Sequence, residues 1–456
     1  MLFPTFTFIL LFLPLTVIVY FLLARKHAAL SKAFLVLASF VFYSWFNWSY
    51  SLILAGSILV NWAVAQRLHA RKSRLVLAAG IAFNILLLGY FKYFNFFVEN
   101  INSLFNASFA FKHVLLPIGI SFFTFQQISF LHLVYSDKLA KRCSFCNYAL
   151  FVSFFPKLIA GPLVPPDEMM SQFEDERNSR VNYDNISSGI FIFALGLAKK
   201  ILLADFFMEI SDSGFAACNG NFFATVATVL AYTLQIYFDF SGYCDMATGV
   251  AKMLNIQLTQ NFNAPYKAEN IADFWRKWHI TLGRFLTDNI YIPLGGNRCG
   301  KFRSLLNLWI VFLISGLWHG AGWLFILWGA LHGTAIVIHR IWSRYANLKM
   351  PKIPAQILTF LFVALAWVPF RAETMETTRK IYRGIFLPSS FSLETPEMFN
   401  VMLFIAGFAI ILFLPTSSDA CRKFRPTWIN LAITVALILV SMFLFVKITP
   451  FIYTNF

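Results

Sequence analysis

Charge is what this sequence has least of: only 13% of its 456 residues are Asp, Glu, Lys or Arg, and the acidic residues number 21. A chain this poor in charge is neither disordered nor a conventional soluble globule, both of which need more polar surface to face water. Its six cysteines (Cys143, Cys146, Cys218, Cys244, Cys299 and Cys421) have no framework spacing, which excludes a disulfide-stapled secreted domain. Cys143 and Cys146 form a lone C-x-x-C with no second Cys/His pair at ligand spacing, so no metal is expected. G-x-S-x-G, H-E-x-x-H and long basic runs are absent, leaving hydrolase, zinc-protease and nucleic-acid readings without support. Gly295, Gly300 and Lys301 approach a phosphate loop, but Phe302 stands where Ser or Thr is required.

Apolar residues are abundant instead: 59% of the chain is hydrophobic and 55 residues are Phe. A bilayer core takes about 20 apolar residues per helix. Runs of that kind recur at roughly 2–24, 33–45, 49–66, 75–97, 114–135, 186–206, 222–241, 304–317, 321–342, 355–370, 400–415 and 428–448. No polar stretch between them is long enough to fold separately, so residues 1–456 read as one polytopic, all-α integral membrane domain embedded in a lipid bilayer. Residues 2–24 lack a basic n-region and a small-residue cleavage site, so they read as a first span. The net charge of +16 follows from basic loops on the cytoplasmic side rather than from a nucleic-acid partner. Arg25, Lys26 and Lys32, then Arg67, Arg71, Lys72 and Arg74, then Lys138, Lys141 and Arg142 fall on alternate connections. This puts the N-terminus outside. Arg422, Lys423 and Arg425 put the loop before the last span inside and the C-terminus outside.

The middle of the chain departs from this regularity. Residues 148–170, with Pro156, Lys157, Gly161, Pro162, Pro165 and Pro166, are too broken for an ordinary span and read as re-entrant. Non-helical backbone survives at membrane depth only where protein or water satisfies it, usually beside a cavity. Residues 239–300 are dense in polar groups, the first sign of a functional centre. Within them, 272–286 reads as one amphipathic, interfacial helix with Phe274, Trp278, Leu282 and Phe285 on one face; taken alone, His279 would be a passenger on its polar side and Arg276, Lys277 and Arg284 snorkelling cations. His319, in SGLWHGAGW, lies between apolar spans with glycines around it; an imidazole there is either a structural group bonded to a carbonyl or a general base for acyl transfer. His132 and Asp137 match another acyltransferase spacing, but residues five apart lie about 140° apart on a helix and do not converge. Tyr453, just past the last span, is an interfacial aromatic anchor or a nucleophile that carries an acyl group.

Together the segments LLPIGISFFTFQQIS (115–129), FFPKLIAGPLV (154–164), AYTLQIYFDFSGYCDMATG (231–249), NFNAPY (261–266), FWRKWHITL (274–282), YIPLGGNR (291–298), SGLWHGAGW (315–323) and WGALHG (328–333) resemble the membrane-bound O-acyltransferase family, in its bacterial alginate and peptidoglycan O-acetyltransferase branch. The resemblance runs over nearly the whole chain, with a core at about 115–342 and a carrier-like last segment at 428–456. It implies a multi-helix bundle with re-entrant and interfacial helices around a central tunnel. It makes His319 the catalytic histidine and sets Trp318 among the residues that shape the tunnel. It places His279 near the cytoplasmic end, in a donor-positioning role. Asp239, Ser241, Asp245, Asn261 and Arg276 match family positions that shape the tunnel or bind donor. Where relatives typically carry an arginine this chain has Thr287, with Arg284 one turn earlier; Leu131, His132 and Leu133 stand where relatives often carry an acid. The ending F-x-Y-x-x-F resembles that of a small membrane peptide in teichoic-acid D-alanylation, which makes Tyr453 a candidate acyl carrier.

The resulting expectation is an O-acetyltransferase of the bacterial inner membrane. It takes acetyl from cytoplasmic acetyl-CoA, with Arg276, Lys277, Arg284 and Asn261 on the donor. His319 is the base and Tyr453 the first acceptor. The acetyl group then passes to a periplasmic SGNH-type (Ser-His-Asp) partner, and so to an envelope polysaccharide, peptidoglycan or an alginate-like polymer. A D-alanyl-type donor is the alternative within the same chemistry. A transporter or flippase is the alternative outside it, and would show repeats; the SGLWHG and FWRKWH segments do not recur.

Overall fold

The computed structural model describes residues 1–112, 115–139, 143–346, 350–392, 397–445, 449 and 451–452. Apart from one isolated bridge between Asn221 and Ser390, the described residues form an all-helical bundle. Among them, seven helices are long and apolar enough to cross a membrane: Thr7–Ala24, Trp48–Ala70, Arg74–Phe105, Phe222–Met253, Lys301–His319, Trp323–Tyr345 and Lys352–Arg371. Ala28–Ser44, Met398–Phe413 and Trp428–Phe443 are shorter apolar helices.

Side-chain caps set several starts. Asn47, Ser73 and Asn221 each accept a backbone N–H from the first turn that follows, replacing a bond the helix cannot supply. The helix begun by Asn221, Phe222–Met253, forms the centre of the bundle. Tyr183–Ala198 lies against it through glycines. A Cβ on Gly196 would stand 2.5 Å from the Gly242 carbonyl oxygen, and one on Gly249 the same distance from that of Gly189. Lys301–His319 and Trp323–Tyr345 meet in the same way, Gly316 against Phe325 and Gly329 against Phe312. Small residues let backbones approach where lipid offers no hydrophobic drive to pack.

The segment 148–170 is broken, as its prolines and glycine led one to expect. Phe145–Ser153, Phe155–Leu158 and Pro166–Glu174 are short helices separated by irregular, almost wholly buried chain. The freed amides find side chains: Phe155 N–H donates to Ser39 Oγ at 3.1 Å and Leu163 N–H to Thr281 Oγ1 at 3.0 Å.

The single interfacial helix over 272–286 does not form. The chain makes two, Ile271–Lys277 and Ile280–Leu286, broken at Trp278 and His279. Asn261 and Asn263 cause the break. Asn263 N–H donates to Lys277 O at 2.9 Å and Ile280 N–H to Asn261 O at 3.0 Å, so a neighbouring strand of chain takes the bonds a continuous helix would have used. Phe274, Trp278, Leu282 and Phe285 are all buried, serving as core and not as a lipid-facing belt.

Candidate active site

His319 is the last residue of Lys301–His319, where Gly320 turns the chain into an extended conformation. It is buried, and its ring is walled by Trp318, Trp328 and Phe370 at centroid distances of 4.9, 5.0 and 5.2 Å. A helix C-terminus leaves carbonyls without intrahelical partners. Here two side chains from Arg74–Phe105, which widens to a π-helical turn at Gly89–Tyr93, meet them. Tyr93 OH donates to Leu317 O at 2.7 Å, and Lys92 Nζ to Trp318 O at 2.5 Å and to His319 O at 3.2 Å. The lysine amine stands at the negative end of the helix dipole.

His279 occupies the break between the two short helices with φ +46°, a left-handed conformation unusual for a residue with a Cβ. Asn261 Oδ1 holds the turn: it lies 3.2 Å from His279 Nδ1 and accepts from the Thr281 N–H and hydroxyl at 3.2 and 2.9 Å. The His279 and His319 rings flank the Trp318 indole, at 6.1 and 4.9 Å. The two histidines, Trp318 and Asn261, chosen from sequence, therefore come together.

Two cavities reach the neighbours of this cluster, and no residue of Lys301–His319 lines either of them. One, of about 590 Å³, is lined by Ser129, His132, Lys138, Asp167, Arg284 and Asp288, among others, and reaches Phe125, which stacks on Trp318 at 5.3 Å. The other, of about 1400 Å³, includes Glu99, Asp205, Glu209, Asp212 and Glu373 with Arg371, and reaches Phe370 against the His319 ring. His319 itself lines neither cavity; each reaches one aromatic neighbour of the Trp318–His319 pair, Phe125 for the smaller and Phe370 for the larger.

The remaining selected residues are dispersed. Arg284 lines the smaller cavity but is bound to Glu168, with Nη1 2.5 Å from Oε1. Arg276 and Lys277 both turn to Asp273 and line none of the described cavities. Burial raises the Asp273 pKa, yet the bonds from Lys277 and Arg276 override it and hold that carboxyl below its ordinary range. Ser241 and Asp245 line a third cavity of about 380 Å³ with Lys199, Ser417 and Asn261. Asp239 is buried against Lys200 at 2.7 Å. Tyr453 lies outside the described residues. Three groups were not singled out from sequence: Lys92, the Lys200 and Asp205 pair, and His332, whose Nδ1 accepts from Trp275 Nε1 at 3.3 Å beside Trp328. Lys92 and Lys200 carried a signal, since each is an ionisable residue inside an apolar run.

A family model described as the membrane-bound O-acyltransferase family matches residues 5–372. A peptidoglycan O-acetyltransferase of Helicobacter pylori is 46% identical over 419 residues, 84% of this chain and 80% of that protein. A probable alginate O-acetylase of Pseudomonas aeruginosa is 35% identical over 433 residues, 93% of this chain and 82% of that protein. A teichoic acid D-alanyltransferase of Bacillus subtilis is 24% identical over 279 residues, 56% and 69% of the two chains.

Proposed function

The chain belongs to the membrane-bound O-acyltransferase family, and from that premise we propose that it moves acetyl groups from acetyl-CoA on the cytoplasmic face to an acceptor on the other side of the bacterial inner membrane. As a multi-pass O-acyltransferase it is an enzyme, not a carrier that passes its substrate unchanged. The observation that supports the proposal is that two separate cavities reach the aromatic neighbours of Trp318 and His319, the smaller through Phe125 and the larger through Phe370; we assign one to each side of the membrane. The smaller opens near Lys138, in a loop whose charge assigns it to the cytoplasm, and receives the thioester. Its Lys138 and Arg284 offer cations to donor phosphates, Arg284 by exchanging Glu168 for phosphate. The larger faces the periplasm.

In the proposed reaction the Tyr453 hydroxyl oxygen attacks the acetyl carbonyl while His319 takes its proton. The carbon–sulfur bond then breaks, and the departing thiolate recovers the proton from the imidazolium. The acetyl ester on Tyr453 is consumed by a serine hydroxyl of a periplasmic SGNH-type partner, which acetylates the polysaccharide. Ile452, the residue before Tyr453, lines the same cavity as Phe370, the ring against His319, which supports this route. The 46% identity to a peptidoglycan O-acetyltransferase favours peptidoglycan over an alginate-like polymer.

The test supplies purified protein with radiolabelled acetyl-CoA or D-alanyl donor and follows label retained on the chain. Acetyl label on the wild type, absent from His319→Ala and Tyr453→Phe, is the expected result. Full acetylation by His319→Ala at normal protein level would overturn the central assignment.

A further inference from the structure

Three charged side chains meet where the segment past the last helix returns to the bundle. Lys200 Nζ lies 2.8 Å from Asp205 Oδ1 and 2.7 Å from Asp239 Oδ1, with both Lys200 and Asp239 side chains 2% exposed. Two carboxylates against one ammonium leave a negative charge in excess, which is expensive to bury without further donors. The returning segment supplies those donors. Thr449 hydroxyl donates to Asp205 Oδ1 at 2.7 Å, and Ile452 N–H donates to Asp239 Oδ2 at 2.9 Å. Between them Phe451 is buried, its centroid 5.0 Å from Lys200 Nζ and 4.7 Å from the Tyr243 ring.

We infer that Lys200, Asp205 and Asp239 form a receptor that latches Thr449, Phe451 and Ile452 at the wall of the larger cavity and so positions the acyl-carrying tyrosine that follows. The inference rests on the proposed Tyr453 relay for its purpose, but the latch itself stands on these contacts. One cation and one carboxylate would balance by themselves. The second carboxylate has a use only if something brings donors to it, and a backbone amide with a threonine hydroxyl does so while placing the chain in one register. The three are positioning residues; His319 and Tyr453 do the chemistry.

The decisive variant removes the donor and leaves the buried triad intact. Proline has no N–H, so Ile452→Pro deletes the bond to Asp239, with Ile452→Ala as its side-chain control. Thr449→Val deletes the second bond, and Asp205→Asn lowers the excess charge. Each is placed in lipid nanodiscs, and two quantities are read: hydrogen exchange of the C-terminal peptide, and the ratio of acetyl label on the chain to acetyl-CoA hydrolysed. The expected result is at least tenfold faster exchange and a tenfold lower ratio in Ile452→Pro than in Ile452→Ala, with Thr449→Val and Asp205→Asn between. Thioester hydrolysis continues throughout, a pattern that general misfolding would not leave. Unchanged exchange and ratio in Ile452→Pro would overturn the latch. Tyr453→Phe separates the two ideas: slow exchange without label supports both, whereas slow exchange with label intact removes the relay and leaves the latch standing.

Discussion

Lys92 Nζ donates to the carbonyl oxygen of His319 at 3.2 Å, joining residues 227 apart in sequence across two membrane helices. With the bond to Trp318 O and that of Tyr93 to Leu317 O, it fixes the last turn of the helix that presents the imidazole. The contact is to backbone, so its effect on chemistry is geometric. Lys92→Met keeps the length of the side chain and removes the donors. Misplacing a reacting group by about 1 Å costs about 10²-fold in rate, so kcat is expected to fall by about that factor with donor KM within about threefold. Steady-state kinetics with acetyl-CoA reads the split; an unchanged kcat would make Lys92 a purely structural residue.

Asn261 and His279 form the second fixed element. Asn261→Ala removes the acceptor that Thr281 N–H and hydroxyl share and leaves both buried. An unsatisfied buried donor costs about 1–3 kcal/mol. The variant is expected to unfold at a lower temperature in detergent and to bind donor more weakly, through a raised KM, because the left-handed turn at His279 loses its support.

Glycine packing gives a third prediction with its own control. A Cβ at Gly316 would stand 2.2 Å from the Phe325 carbonyl oxygen, which is backbone and cannot swing aside. Gly316→Ala must part the two helices that carry His319 and Trp328, at a cost of about 1–3 kcal/mol. Gly56, within Trp48–Ala70, has nothing within 4 Å of the same atom, and Gly56→Ala is expected to keep or raise stability. Thermal unfolding of the two variants side by side tests this; equal Tm values would refute the helix-separation argument.

Much of the architecture was legible because each signal was local. Apolar runs marked the spans, and the prolines of 156–166 marked the broken segment. His319 stood out as an ionisable group among apolar neighbours. Applied evenly, that same test would also have marked Lys92 and Lys200, which lie inside runs read simply as spans. Periodicity failed at 272–286. The apolar face was real, but the two short helices around His279 are separated by hydrogen bonds from Asn261 and Asn263, and pairing across the chain is invisible to a local pattern. The predicted cationic donor set dissolved for a similar reason. Arg276, Lys277 and Arg284 neighbour one another in sequence, yet Asp273 and Glu168 turn them to different partners.

Two separate cavities that reach the neighbours of one histidine imply two separable half-reactions. Ser129 lines only the smaller cavity and Ala321 only the larger, among the three described. Replacing each by tryptophan narrows one approach without touching His319, because a bulky ring in a cavity displaces substrate before it displaces packed helices. Ser129→Trp is expected to raise KM for acetyl-CoA about tenfold or more, equivalent to about 1.4 kcal/mol of lost donor binding, and to reduce hydrolysis and transfer together. Ala321→Trp leaves donor binding and thioester cleavage in place but slows delivery to the acceptor, so label accumulates on the chain or is lost to water. Measuring KM, hydrolysis and delivery for both variants decides the matter. If Ala321→Trp raised donor KM as much as Ser129→Trp, the two cavities would be one donor site, and the assignment of opposite faces would have to be abandoned.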